Sequence, residues 1–89
     1  LASAFINLLE PGSSLPPHFG DTNVCHRVHL GLIVPGGVEE CGIEVDGEQR
    51  GWVEGDVLVF NDARRHRVWN RSARPRVILV CDIMKAEYG

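Results

Sequence analysis

Short runs of Val, Ile and Leu alternate with polar side chains along this chain, and each run is closed by glycine, proline or a polar turn residue. Alternation at a period of two predicts half-buried β-strands, whereas apolar residues at helical spacing are almost absent. The first strand covers residues 3–9 and stops at Pro11-Gly12. Residues 13–21 read as a loop held extended by Pro16-Pro17 and ending in His18-Phe19-Gly20. A second strand covers 24–34, and Pro35-Gly36-Gly37 turns it into a third over 39–45. Asp46-Gly47 is a hairpin signal, because both central residues of a type I′ turn need positive φ. The return begins at Trp52, breaks at Gly55 and continues over 57–60; the last strands cover 67–69 and 76–83. Regularly spaced short strands without repeats or linkers predict an all-β sandwich or barrel.

The same alternation assigns faces. Arg27 and His29 point one way in the second strand, and Arg76, Ile78, Val80 and Asp82 share a face in the last. Were Arg27, His29 and Arg76 all turned inward, the interior would hold two guanidiniums and an imidazole. Burying such charges costs several kcal/mol per ion unless an anion compensates. Few acidic residues lie on matching faces, so a bound dicarboxylate is expected to supply the charge, and arginine suits a two-pronged grip on a carboxylate.

Composition narrows the function. Eighty-nine residues make one small domain, spanning 1–89. The chain starts at Leu1, inside what reads as a strand, and is expected to be the trimmed core of a larger domain. Nine basic against twelve acidic residues give a net charge of -3, which argues against nucleic acid or an anionic membrane as the main partner. No apolar run approaches the ~20 residues that span a bilayer. Cys25, Cys41 and Cys81 are odd in number and form no CxxC pair, so they read as small buried hydrophobes in a reducing, cytoplasmic compartment.

Candidate chemistry centres on residues 55–70, GDVLVFNDARRHRVWN. This is a strand, a tight turn over Asn61-Asp62, and a strand carrying His66, with Asn70 closing the run. The spacing resembles the second motif of the cupin, or double-stranded β-helix, superfamily, with Asn61 in place of the usual Pro and Ala63 in place of the usual Gly. His18 and His66 are the candidate metal pair. Two imidazoles with open coordination positions suit Fe(II), whose usual oxygenase set is two His and one carboxylate. The carboxylate normally stands two residues after the first His, and Gly20 occupies that position; Asp21 is the rival. His26 reads as structural or surface, and His29 as a pocket residue or a satisfied buried imidazole. Arg64 and Arg65 read as a solvated turn; the alternative is that, with Arg67, they steer an acidic peptide toward His66. Trp52 and Trp69 read as barrel packing.

Taken in order, His18-Phe19-Gly20, Asp21-Thr22-Asn23, residues 27–35 (RVHLGLIVP), residues 52–60 (WVEGDVLVF), residues 66–69 (HRVW) and Arg76 resemble the aspartyl/asparaginyl β-hydroxylase family over nearly the whole chain. The resemblance implies an Fe(II)- and 2-oxoglutarate-dependent dioxygenase on a double-stranded β-helix. It also implies that Gly at the third position is native to the family, with solvent completing the metal shell. It makes His18 and His66 metal ligands, Arg76 the clamp on the distal carboxylate of 2-oxoglutarate, and Arg27 and His29 further cosubstrate contacts. O₂ is then consumed, 2-oxoglutarate is decarboxylated to succinate, and the β-carbon of an Asp or Asn residue in a peptide, or of a related small acidic substrate, is hydroxylated. Asn7 departs from the family, which often has a hydroxyl residue there that touches the cosubstrate. Two other functions fit the residues: a non-catalytic cupin-like module holding an organic acid, and a metal-dependent cupin enzyme with a three-histidine site.

Overall fold

The structure is a computed structural model describing residues 2–20, 22 and 24–84. Among these residues, eight strands make two antiparallel four-stranded sheets. They are β1 (Ala2–Leu9), β2 (Ser14–His18), β3 (Val24–Ile33), β4 (Cys41–Val45), β5 (Glu48–Arg50), β6 (Val57–Phe60), β7 (His66–Asn70) and β8 (Arg76–Met84). One sheet runs β1-β8-β3-β6 and the other β2-β7-β4-β5, so the chain crosses between sheets at nearly every connection. That interleaving is the expected all-β, double-stranded β-helix architecture, and it pairs strands far apart in sequence.

Between the sheets, Cys41, Ile43 and Val68 from one face meet Ile78 and Val80 from the other, with Trp52 inserted among them. Strand β8 alternates buried and half-buried positions from Arg76 to Asp82, as its sequence predicts. The register then sets Asp82 opposite Arg27, Val80 opposite His29 and Ile78 opposite Gly31. Gly31 is required there by space: a Cβ would lie 2.5 Å from the carbonyl oxygen of Val53, where residues 53–56 cross the strand. The Asp46-Gly47 turn has φ of 49° and 83°, as a two-residue hairpin of this type demands.

Two elements differ from expectation. Residues 14–18, read as loop, form an edge strand on β7. Pro16 and Pro17 have no N–H to give to a ladder and sit where the register gains one residue, between the pairs Leu15–Val68 and His18–His66. The return strand starts at Glu48, four residues before Trp52, and its Glu-Gln-Arg sequence is wholly exposed, so it has no apolar alternation to read.

Cys41 is buried, Cys81 is half-buried, and both are free thiols. The side chain of Cys25, like Asp21 itself, lies outside the described residues. Asn70 is fully buried and ties the sheets together. Its amide donates to the carbonyls of Leu9 and Arg74, both at 2.9 Å, and its Oδ1 accepts from Ser72 and the Cys41 thiol. Asn70→Ala leaves several of these groups without partners, and the urea midpoint is expected to report a loss of about 2–4 kcal/mol.

Candidate functional site

Strand pairing sets His18, at the end of β2, directly opposite His66, at the start of β7. The extra residue at Pro16-Pro17 brings His18 into this register, and the two ring centroids lie 4.2 Å apart. Each imidazole reaches back two residues to its own backbone: His18 Nδ1 lies 2.8 Å from the Pro16 carbonyl and His66 Nδ1 2.7 Å from the Arg64 carbonyl. A carbonyl oxygen only accepts, so in both rings Nδ1 carries a proton, and in the neutral imidazole Nε2 keeps its lone pair. Backbone carbonyls that fix the tautomer in this way are the usual support of metal-binding histidines.

Asp62, read from sequence as part of a polar tight turn, is buried at 2% exposure. Its neighbour Asn61 closes the turn through its own side chain, Oδ1 accepting from Ala63 N at 3.0 Å, and Asp62 is turned inward. Its Oδ1 lies 3.6 Å from His66 Nε2 and 3.1 Å from Arg27 Nη1. The carbonyl of Asp62 accepts from Gly20 N at 2.9 Å. A Cβ on Gly20 would fall 2.2 Å from Asp62 Oδ2 and 2.3 Å from Asp62 O, so the root of the usual third carboxylate is filled by Asp62. Among the described residues, no three His, Cys, Asp or Glu side chains gather closely enough to hold a metal ion together. The pair His18 and His66 thus stands with a carboxylate beside it.

Arg27, His29 and Arg76 all face inward with the pair, around a cavity of about 80 Å³ that Asn7, His18 and His66 also line. They are compensated differently. Arg27 meets Asp82 through two hydrogen bonds, Nε to Oδ1 at 2.7 Å and Nη2 to Oδ2 at 2.8 Å, besides its contact with Asp62. The expectation that acidic residues were too few on matching faces is therefore corrected for this arginine. Arg76 is buried at 2% exposure and has no carboxylate partner among the described residues. It donates through Nη2 to Asn7 Oδ1, lies 4.5 Å over the Trp52 ring, and among the described residues has no partner for Nε. Burial lowers its pKa to about 10, which leaves it charged at neutral pH.

His29 Nδ1 accepts from the Trp52 indole N–H at 3.0 Å, so its neutral ring presents Nε2–H as a donor. Burial, followed by the charges of Arg76 and Arg27, lowers its pKa to about 3. The unfolded chain binds this proton below about 6.5 and the folded chain only near 3, so the stabilising difference is full above 6.5 and is lost as pH falls. A stability loss on the order of 4 kcal/mol is expected from this residue across that window, and His29→Asn should flatten that part of the pH profile of the urea midpoint.

Of the remaining residues, His26, Arg64 and Arg65 are exposed, and Arg64 lies 3.6 Å from Asp46. Arg67 pairs with Glu44 at 3.0 Å and stacks on Trp69, which is buried. Trp52 both packs and positions, through His29 and Arg76. Among the described residues no helix is long and apolar enough to cross a membrane.

The family model for aspartyl/asparaginyl β-hydroxylase matches residues 1–86. An ornithine lipid ester-linked acyl 2-hydroxylase from Rhizobium tropici is 42% identical over 85 residues, covering 96% of this chain and 30% of the relative. The aspartyl/asparaginyl β-hydroxylase of Mus musculus is 40% identical over 81 residues, covering 91% of this chain and 11% of the relative. The chain thus spans less than a third of the length of these relatives. Among solved structures, the cupin domain of an XRE-family transcriptional regulator from Enterobacter cloacae superposes with a TM-score of 0.72 at 20% identity, covering 96% of this chain and 83% of that one. A predicted oxalate decarboxylase from Thermotoga maritima gives 0.70 at 20% identity, covering 92% of this chain and 65% of that one. These two likenesses establish the cupin fold.

Proposed function

Since the chain belongs to the aspartyl/asparaginyl β-hydroxylase family, we propose that it forms the core of an Fe(II)- and 2-oxoglutarate-dependent dioxygenase that hydroxylates the β-carbon of Asp or Asn residues in a peptide, or a related acidic substrate. The observation that carries this reading is the pair of imidazoles at 4.2 Å, both with Nδ1 tied to backbone and Nε2 left with its lone pair, beside a buried arginine with no carboxylate partner among the described residues.

His18 and His66 would hold the metal. Bound iron supplies the activation of O₂ that couples decarboxylation of 2-oxoglutarate to hydroxylation of a C–H bond. Asp62, beside His66, would supply a hydrogen-bond-accepting carboxylate next to the metal, which suits a site where Gly20 stands in the usual third-ligand position. Arg76 would receive the distal carboxylate of 2-oxoglutarate, its Nε and the stacking of Trp52 favouring a planar anion. His29, neutral with Nε2–H directed outward from Trp52, would donate to the other carboxylate alongside Arg27. Asn7 takes its place in this set by orienting Arg76.

The two relatives' names share one piece of chemistry. The β-carbon of Asp or Asn and the 2-carbon of an ester-linked acyl chain both adjoin a carbonyl group, so the substrate class is a C–H bond next to a carbonyl. The test is to supply Fe(II), 2-oxoglutarate, O₂ and an Asp- and Asn-containing peptide, then measure succinate and a peptide mass gain of one oxygen. Both are expected in equal amount. Tight 2-oxoglutarate binding without succinate or oxidised peptide would favour an organic-acid binding module instead.

A further inference from the structure

We infer that Asp82 is a positioning residue that aims the guanidinium of Arg27 at the metal pair and the cosubstrate. The inference rests on the reading of Arg27 just given and adds to it a residue that sequence spacing leaves unassigned. Arg27 and Asp82 are directly opposed on β3 and β8, the two central strands of their sheet, so neither backbone has freedom to drift. The carboxylate takes Nε–H at 2.7 Å and Nη2–H at 2.8 Å, the two-pronged geometry that fixes the guanidinium plane as well as its distance. With that edge held, Nη1 is the nitrogen turned the other way, and it lies 3.1 Å from Asp62 Oδ1, the same oxygen that lies 3.6 Å from His66 Nε2.

The charges give the arrangement its purpose. Arg27 lies between two buried carboxylates, and loss of the Asp82 charge would shift the balance of attraction toward Asp62. A guanidinium seated in two-pronged fashion on Asp62 would take that carboxylate away from His66 and turn the arginine out of the cavity it lines. By holding the far edge of the guanidinium, Asp82 keeps the Nε–Nη2 edge on β8 and Nη1 on the side of Asp62 and His66, which fixes the edge that Arg27 turns toward the cavity. Outer residues that orient an inner contact in this way typically change affinity by roughly 10- to 100-fold when lost.

The experiment is a double-mutant cycle on 2-oxoglutarate binding to the Mn(II)-loaded chain, with Asp82→Asn, Arg27→Ala and the pair. Asp82→Asn keeps the shape and removes the charge. It is expected to weaken 2-oxoglutarate binding by roughly 10- to 100-fold in the parent chain and by less than about twofold when Arg27 is already Ala. Arg27→Lys, which keeps the charge but cannot make the two-pronged contact, is expected to weaken binding at least as much as Asp82→Asn does, and full affinity in it is a contrary result that can be read even if the Asp82 variant does not fold. An equal loss from Asp82→Asn with and without Arg27, or full affinity in Arg27→Lys, overturns the assignment while the proposed function stands. Failure of the unsubstituted chain to bind 2-oxoglutarate overturns both.

Discussion

Gly20→Asp, which would restore the usual two-histidine, one-carboxylate set on paper, is expected to abolish activity and to destabilise the chain by at least about 2–3 kcal/mol. The cause is the first atom of any side chain rather than the carboxylate. A Cβ at this position meets Asp62 Oδ2 at 2.2 Å, Asp62 Cγ at 2.4 Å and the backbone carbonyl of Asp62 at 2.3 Å. Rotating the Asp62 side chain relieves the first two contacts but not the third, because Gly20 N itself holds that carbonyl at 2.9 Å. Relief therefore requires parting the end of β2 from the turn before β7, which separates His18 from His66. Gly20→Ala is expected to fail in the same direction, with thermal unfolding and metal affinity read on the same sample. A Gly20→Asp chain that is as stable as the parent and binds Fe(II) more tightly would show that the position is open, and that Asp62 does not fill it.

The second large effect concerns Arg76. Arg76→Met is expected to weaken 2-oxoglutarate binding by roughly 30- to 1,000-fold, the loss of a buried charge contact worth about 2–4 kcal/mol, while Fe(II) affinity changes little. Its effect on folding is expected to be small or even favourable. A guanidinium at 2% exposure bears a desolvation cost that no carboxylate among the described residues offsets, and a hydrophobic side chain of similar length removes it. Asn7 loses its donor in exchange, which limits the gain. Calorimetric titration of 2-oxoglutarate together with a melting curve separates the two effects. Equal losses of metal and 2-oxoglutarate affinity would mean that Arg76 supports the fold of the site rather than the cosubstrate.

These effects were unequally visible in the sequence. The inward face of β8 was legible because four alternate residues, Arg76 to Asp82, repeat the period of a strand without interruption. Periodicity names a face and stops there. It set Arg27 and His29 on one face of their strand and Arg76 with Asp82 on one face of another, but the partner of Arg27 depends on a register joining residues 55 apart, which no local pattern encodes. Asp62 was hidden for a related reason: Asn-Asp before a basic run has the composition of a solvated turn, and only the closure of that turn by the Asn61 side chain carries Asp62 inward. Strand β2 was masked by its two prolines, which suppress a ladder locally yet are tolerated at an edge, and β5 by having no apolar residue at all. The Asp46-Gly47 turn nevertheless implied a strand directly after it, and pairing Val45 with Glu48 would have placed β5 correctly.

On the proposed function, His18 and His66 together hold one metal ion that 2-oxoglutarate joins from the Arg76 side. The most direct measurement of this is the visible absorption of the anaerobic chain on adding Fe(II) and then 2-oxoglutarate, repeated with His18→Ala, His66→Ala and Arg76→Met. A weak charge-transfer band is expected in the unsubstituted chain, absent from both histidine variants and recovered in Arg76→Met only at much higher 2-oxoglutarate. No band in the unsubstituted chain, or a band of full strength after loss of either histidine, would contradict the account.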